Sequence, residues 1–110
     1  MFYTSDAAGL RAFLRDKLNL PCRDVGNNWL IFDLPEADMG CHPADPSGEN
    51  GVLSGTHDIS FYCDNIHQTV DELRSKGVIF KGEIEDQGYG FVAYFKVPGD
   101  FYVQLFQSKY

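Results

Sequence analysis

Six aromatic side chains, Trp29, Tyr62, Tyr89, Tyr94, Tyr102 and Phe106, hold most of this chain's capacity for recognition chemistry. Too many of these rings carry a polar atom for all of them to sit in a dry core, because a buried phenol or indole needs a hydrogen-bond partner. Tyr102, Gln104 and Phe106 alternate, so on a strand they share one face. A concave surface lined by such rings, with a few polar groups among them, suits a small organic ligand. Burial against a second subunit is the competing use. For Trp29, pocket, core and interface are equally open. Templates for covalent or phosphate chemistry are missing: there is no Gly-rich phosphate loop, no Cys-x-x-Cys pair and no nucleophile elbow. Cys63 beside Asp64 has no neighbouring base, and His67 falls on the solvated side of its helix.

Elements must position those rings, and the composition bounds what they can build. A chain of 110 residues with 44% hydrophobic side chains can bury one core without disulfides, which implies a single domain over 1–110. Nine basic against sixteen acidic side chains give a net charge of −7, a field that repels phosphate backbones and anionic lipid. Neither nucleic acid nor membrane is therefore expected as a partner, and no apolar run approaches the ~20 residues that span a bilayer. The N-terminus lacks a basic-then-apolar leader pattern. Cys22, Cys41 and Cys63 are odd in number and without metal-type spacing, which suits reduced thiols and a cytoplasmic location.

The segment 56–110 has the order of a βαβββ module. Thr56 to Cys63 alternates as a strand does, with Ile59, Phe61 and Cys63 expected beneath a helix and Asp58, Ser60 and Tyr62 on the opposite face. Asp64-Asn65 supplies cap chemistry, Ile66, Val70 and Leu73 make one helical face, and Gly77 suits the left-handed residue after it. Strands are expected at Val78 to Glu85, Phe91 to Val97 and Phe101 to Gln107. The segment 1–43 repeats the order in shorter form. A strand stub at Met1 to Thr4 leads to a helix capped by Ser5 or Asp6, with Leu10, Phe13, Leu14 and Leu18 inward. Asn19 stands where Gly77 stands, and strands follow at Cys22 to Val25, Trp29 to Leu34 and Asp38 to His42. Residues 44–55 form a polar connector. Two such modules side by side imply an α+β fold, a curved mixed eight-stranded sheet with helices on the convex side and a concave cleft.

Several of these segments carry a family likeness. Phe13-Leu-Arg-Asp-Lys-Leu-Asn-Leu20 resembles the helix-end motif of the vicinal oxygen chelate superfamily, which includes glyoxalase I, bleomycin-resistance proteins and extradiol dioxygenases. Ile59-Ser-Phe-Tyr-Cys-Asp-Asn65, Val70-Asp-Glu-Leu73, Lys76-Gly-Val78, Tyr89-Gly90 and Pro98-Gly-Asp-Phe-Tyr-Val-Gln-Leu105 resemble its second module. The likeness runs through nearly the whole chain and implies the fold, not an activity.

In metal-using members each module supplies one ligand from its first strand and one from its last, and the metal polarises vicinal substrate oxygens. By that resemblance the second module's positions fall on Gln104 and on Asp58, with His57 the alternative if the strand slips by one residue. The first module's early position lies at or before Met1. Its late position falls among Met39, Gly40 and Cys41, with His42 adjacent; Cys41 has the bland alternative of a small buried hydrophobe. Asp58, His57, Gln104, Cys41 and His42 make an uneven set for a divalent ion, so no cofactor is favoured while a divalent metal stays open. The expected function is a small-molecule-binding protein, with Asp58, Tyr62, Gln104, Tyr102, Phe106 and Trp29 around an aromatic or cationic compound. The alternatives are a metal-dependent lyase, isomerase or dioxygenase, and an ancillary domain with a vestigial cleft. A homodimer is the expected assembly.

Overall fold

The computed structural model describes residues 1–37, 39, 41, 44 and 53–110. Its elements run α1 (Ala7–Asp16), β1 (Cys22–Asp24), β2 (Leu30–Phe32), β3 (Ser60–Tyr62), α2 (Ile66–Ser75), β4 (Glu85–Asp86), β5 (Gly90–Val97) and β6 (Phe101–Ser108). The fold is mixed α+β, and both helices begin and end where the local chemistry directs. The Asp6 carboxylate accepts from the Gly9 amide at 2.9 Å, and the Asn65 side chain accepts from the Gln68 amide at 3.1 Å. Past the helix ends, Asn19 and Gly77 take the left-handed conformation at φ 54° and 86°.

The strands differ from a continuous eight-stranded sheet. Among the described residues β1 and β2 form a separate antiparallel hairpin, and the other four strands pair in the order β3-β6-β5-β4. Met1 to Thr4 is not a strand. It is tied instead to the β5–β6 turn, where the Thr4 hydroxyl donates to the Pro98 carbonyl at 3.0 Å and Phe2 lies 5.9 Å from Phe101. The segment expected as Val78 to Glu85 keeps one bridge, Phe80 to Phe95, and then the two-residue β4. Of the expected strand Asp38 to His42, Met39 and Cys41 carry no strand structure, and Asp38, Gly40 and His42 lie outside the described residues.

One face of the four-stranded sheet carries the core. Leu10 and Leu14 of α1, Ile66, Val70 and Leu73 of α2, and Ala93, Phe95, Val97, Val103 and Leu105 of the sheet form a single apolar cluster. Phe95 is fully buried and touches three other rings, Phe13 of α1 at 6.1 Å, Phe61 of β3 at 6.4 Å and Phe80 at 6.0 Å. The helices also meet at their C-terminal ends. Lys76 Nζ donates to the Lys17 carbonyl at 3.1 Å, and Lys17 Nζ donates to the Lys76 carbonyl. These lysines cap equivalent helices, and each ammonium sits on the negative end of the other's dipole. The pair is a visible trace of two-fold symmetry between the modules. No helix among the described residues is long and apolar enough to cross a membrane.

Two substitutions test this packing. Phe95→Ala removes the ring common to both modules and should cost about 3–5 kcal/mol in urea unfolding; a loss under ~1 kcal/mol would contradict a shared core. Gly90 matters for a different reason, since a Cβ there would fall 2.3 Å from Phe106 Cε2 and 2.6 Å from the Gln107 carbonyl. Gly90→Ala should therefore destabilise by about 1–3 kcal/mol through overpacking, against the usual gain from replacing a strand glycine. An unchanged or raised unfolding midpoint would show that the close approach is not present.

Candidate functional site

The opposite face of the four-stranded sheet is the candidate site, and strand register sets its layout. Ser60, Gln104 and Tyr94 lie in one row across β3, β6 and β5, and Tyr62, Phe106 and Val92 lie in the next. Alternation sends these side chains to one face while Phe61, Leu105, Ala93 and Phe95 point to the core. Phe106 is 4% exposed although it lies on the face away from the helices. Its cover is aromatic: Tyr62 packs at 5.2 Å between centroids and Tyr89 at 5.9 Å. Gly90 at the start of β5 allows that ring to lie flat against the strand.

Gln104 is fully engaged. The Ser60 hydroxyl donates to its Oε1, and its Nε2 donates to the Tyr94 hydroxyl at 3.0 Å. Both ends of the amide are thereby fixed, and the Tyr94 O–H remains available as a donor at the end of the row.

A cleft of about 1200 Å³ opens over this face. Its walls come from both modules: the Met1–Thr4 segment and α1 on one side, Trp29 to Phe32 of the hairpin on another, and β3, Tyr89, Gln104 and Phe106 as the floor. Every residue from Asp58 to Tyr62 contributes, which means the cleft wraps the free edge of β3 and does not stop at one face. A smaller pocket of about 310 Å³ lies beyond Gln104, lined by His57, Asp58, Tyr94, Tyr102 and the Met1–Tyr3 segment. Gln104 and Asp58 belong to both spaces.

The expected ligand-binding residues are mostly brought together. Asp58, Tyr62, Gln104, Phe106 and Trp29 all line the main cleft, Trp29 at 53% exposure. Tyr102 does not. Strand twist and the Tyr94–Gln104 pair place it in the smaller pocket, where Lys81 Nζ stands 5.6 Å from its ring. Ile59 also departs from expectation: it is 45% exposed on the cleft wall, because β3 forms only at Ser60 and the helices do not reach back over Ile59. Cys63 does sit in the core, where burial pushes its thiol up from the ordinary range. Cys41 is exposed, against its alternative reading as a small buried hydrophobe, and it is not among the residues that line the cleft. His67 is exposed, with its ring 6.4 Å from Phe91.

The metal positions implied by the resemblance are brought together only in part. His57, Asp58 and Gln104 line the smaller pocket, while Cys41 is not among the residues that line either space. Gln104 turns its oxygen to Ser60 and its NH2 group, a donor, toward the smaller pocket. His42 is outside the described residues. Among the described residues no three His, Cys, Asp or Glu side chains come together as a metal would require.

Two site features go beyond the sequence reading. The Ser60–Gln104–Tyr94 row needs the parallel pairing of β3 with β6, which no local pattern reveals. Arg11 also lines the cleft, and it left a signal in the sequence: Ala7, Leu10, Arg11 and Leu14 are spaced along one face of α1, so a cation interrupts an apolar stripe.

Comparison with known proteins agrees with this architecture. A model of the Glyoxalase/Bleomycin resistance protein/Dioxygenase superfamily matches residues 1–106. No curated protein matches the chain. Among solved structures, lactoylglutathione lyase from Agrobacterium tumefaciens superposes with a TM-score of 0.66 at 15% identity, over 96% of this chain and 88% of that one. TnmS3, an antibiotic binding protein from Streptomyces sp. CB03234, gives 0.65 at 17% identity, over 96% and 89%. A superfamily member from Sphaerobacter thermophilus gives 0.61 at 19% identity, over 98% and 92%. At these identities the structural likeness is one of fold, while the family model spans nearly every residue described above. The chain belongs to the glyoxalase/bleomycin resistance protein/dioxygenase superfamily.

Proposed function

We propose that this protein binds a small aromatic molecule in the cleft between its modules, without a resident metal. The observation that carries the reading is the aromatic floor of Tyr62, Phe106 and Tyr89 in a cleft that Trp29 also lines, beside an amide already committed to Ser60 and Tyr94. Flat rings stacked on such a floor gain dispersion and apolar burial, and need few polar contacts for orientation. Asp58, at the junction of the two spaces, faces a basic or hydrogen-bond-donating substituent. The fold is shared with an antibiotic binding protein, which accords with ligand capture, and with a lyase, which keeps turnover as the second reading.

The single tryptophan gives a direct assay. Titration with naphthalene-2-carboxamide, followed by amide and indole NMR shifts, should move Trp29, Tyr62 and Phe106 saturably. Phe106→Ala should weaken that binding about tenfold or more, in line with loss of a buried aromatic contact. Zn, Ni, Mn or Fe at ten times the protein concentration should leave the melting temperature nearly unchanged. A rise of several degrees with one of these metals would instead favour a metal-dependent lyase, isomerase or dioxygenase.

We further propose a homodimer in the cytoplasm. Among the described residues β3 lies at the edge of its sheet, and Leu34, Ile59 and Tyr62 are largely exposed, a combination that favours pairing with another chain. Sedimentation at micromolar concentration should give twice the chain mass; a monomer would overturn this assembly.

A further inference from the structure

Arg11 is the exception among the nine basic side chains. Arg15, Arg23, Lys96 and Lys109 pair with carboxylates. Lys17 and Lys76 hold helix-end carbonyls, and Arg74 and Lys81 lie over aromatic rings. Arg11 makes no such contact among the described residues, although acidic groups outnumber basic ones and could have supplied one. It is half-buried on the face of α1 that also carries Ala7, Leu10 and Leu14, and it is the only lysine or arginine lining the cleft. Asp58 and Glu36 line the same cleft without pairing with it.

A guanidinium presents five donors in a planar fork and cannot shed its charge. Leaving it without a partner on an apolar wall forgoes interactions that the other eight cations make. We infer that Arg11 is a specificity-determining residue that receives an anionic group, a carboxylate or a similar planar acid, on the aromatic ligand. This rests on the reading of the cleft as an aromatic-ligand site. Two-point recognition follows: rings on the Tyr62–Phe106–Tyr89 floor and an acid on α1. With Asp58 just before β3, an amphoteric aromatic molecule would meet both charges. The charge-assisted contact is strong in a water-poor cleft and matches carboxylate geometry bidentately. The alternative use of Arg11 is to lay its alkyl stem over Leu10 and Leu14 with the charge in water.

A matched pair of probes separates these uses. Naphthalene-2-carboxylate and naphthalene-2-carboxamide have the same rings and nearly the same shape at neutral pH, and differ in charge. The native protein should bind the carboxylate about tenfold or more tightly than the amide, as expected of a charge-assisted contact. In Arg11→Met, which keeps an apolar stem, that ratio should fall to about one, while Arg11→Lys should keep part of it. The melting temperatures of both variants establish that each remains folded. Equal affinity of the native protein for the two probes, or a carboxylate preference that survives in Arg11→Met, would overturn the assignment of Arg11 but leave the aromatic site standing. If neither probe shifts Trp29 or the β3 and β6 amides, the aromatic reading of the cleft fails and this inference with it.

Discussion

The packing of one fully buried ring, Phe95, governs the rest of the architecture. It sits in the central part of β5 and meets α1 through Phe13, the edge strand β3 through Phe61 and the segment before β4 through Phe80. Among the described residues the first module has little with which to hold itself together: one ten-residue helix and a hairpin with three residues in each strand. A two-stranded hairpin is marginal alone. Its helix therefore folds onto the core of the second module, and the cleft exists because α1 is fixed there. The crossed Lys17 and Lys76 contacts set the ends of the two helices against each other, which leaves the α1 face bearing Arg11 toward the open space.

Much of this is legible in the sequence where a local rule decides the outcome. Asp6 and Asn65 cap their helices, Asn19 and Gly77 terminate them, and Ile66, Val70 and Leu73 face inward, because caps, left-handed residues and helical spacing act within a few positions. Alternation likewise places Tyr62, Gln104 and Phe106 on one face. What is not legible depends on pairing across long separations. Tyr102 shares that face but falls in a different pocket, since Gln104 and Tyr94 join between it and the main cleft. The short strands cannot be sized from propensity alone: Thr56 to Ile59 alternates well, yet among the described residues strand pairing begins only where Ser60 meets Gln104.

The repeat is maintained by backbone rules, which several residue types satisfy; Asn can stand for Gly at a helix end. A multi-ligand site has no such tolerance, because three or four donors must converge with unspent lone pairs. Gln104, which the resemblance marks as a ligand position, accepts from Ser60 at its oxygen and donates to Tyr94 from its nitrogen, and so braces three strands.

That brace also shapes what the cleft can recognise. It lies between a wide, ring-lined space and a smaller one, and the charged groups divide between them, with Arg11 and Glu36 on the wide side and Asp58 at the junction. Stacking on Phe106 discriminates poorly among flat molecules, since any ring presents a face to it. Discrimination must come from the polar groups, where a missing or misplaced partner costs more than a missing methylene. For the aromatic ligand proposed above, the floor would set how strongly it is held, and the charges at the cleft's edges would set which one fits.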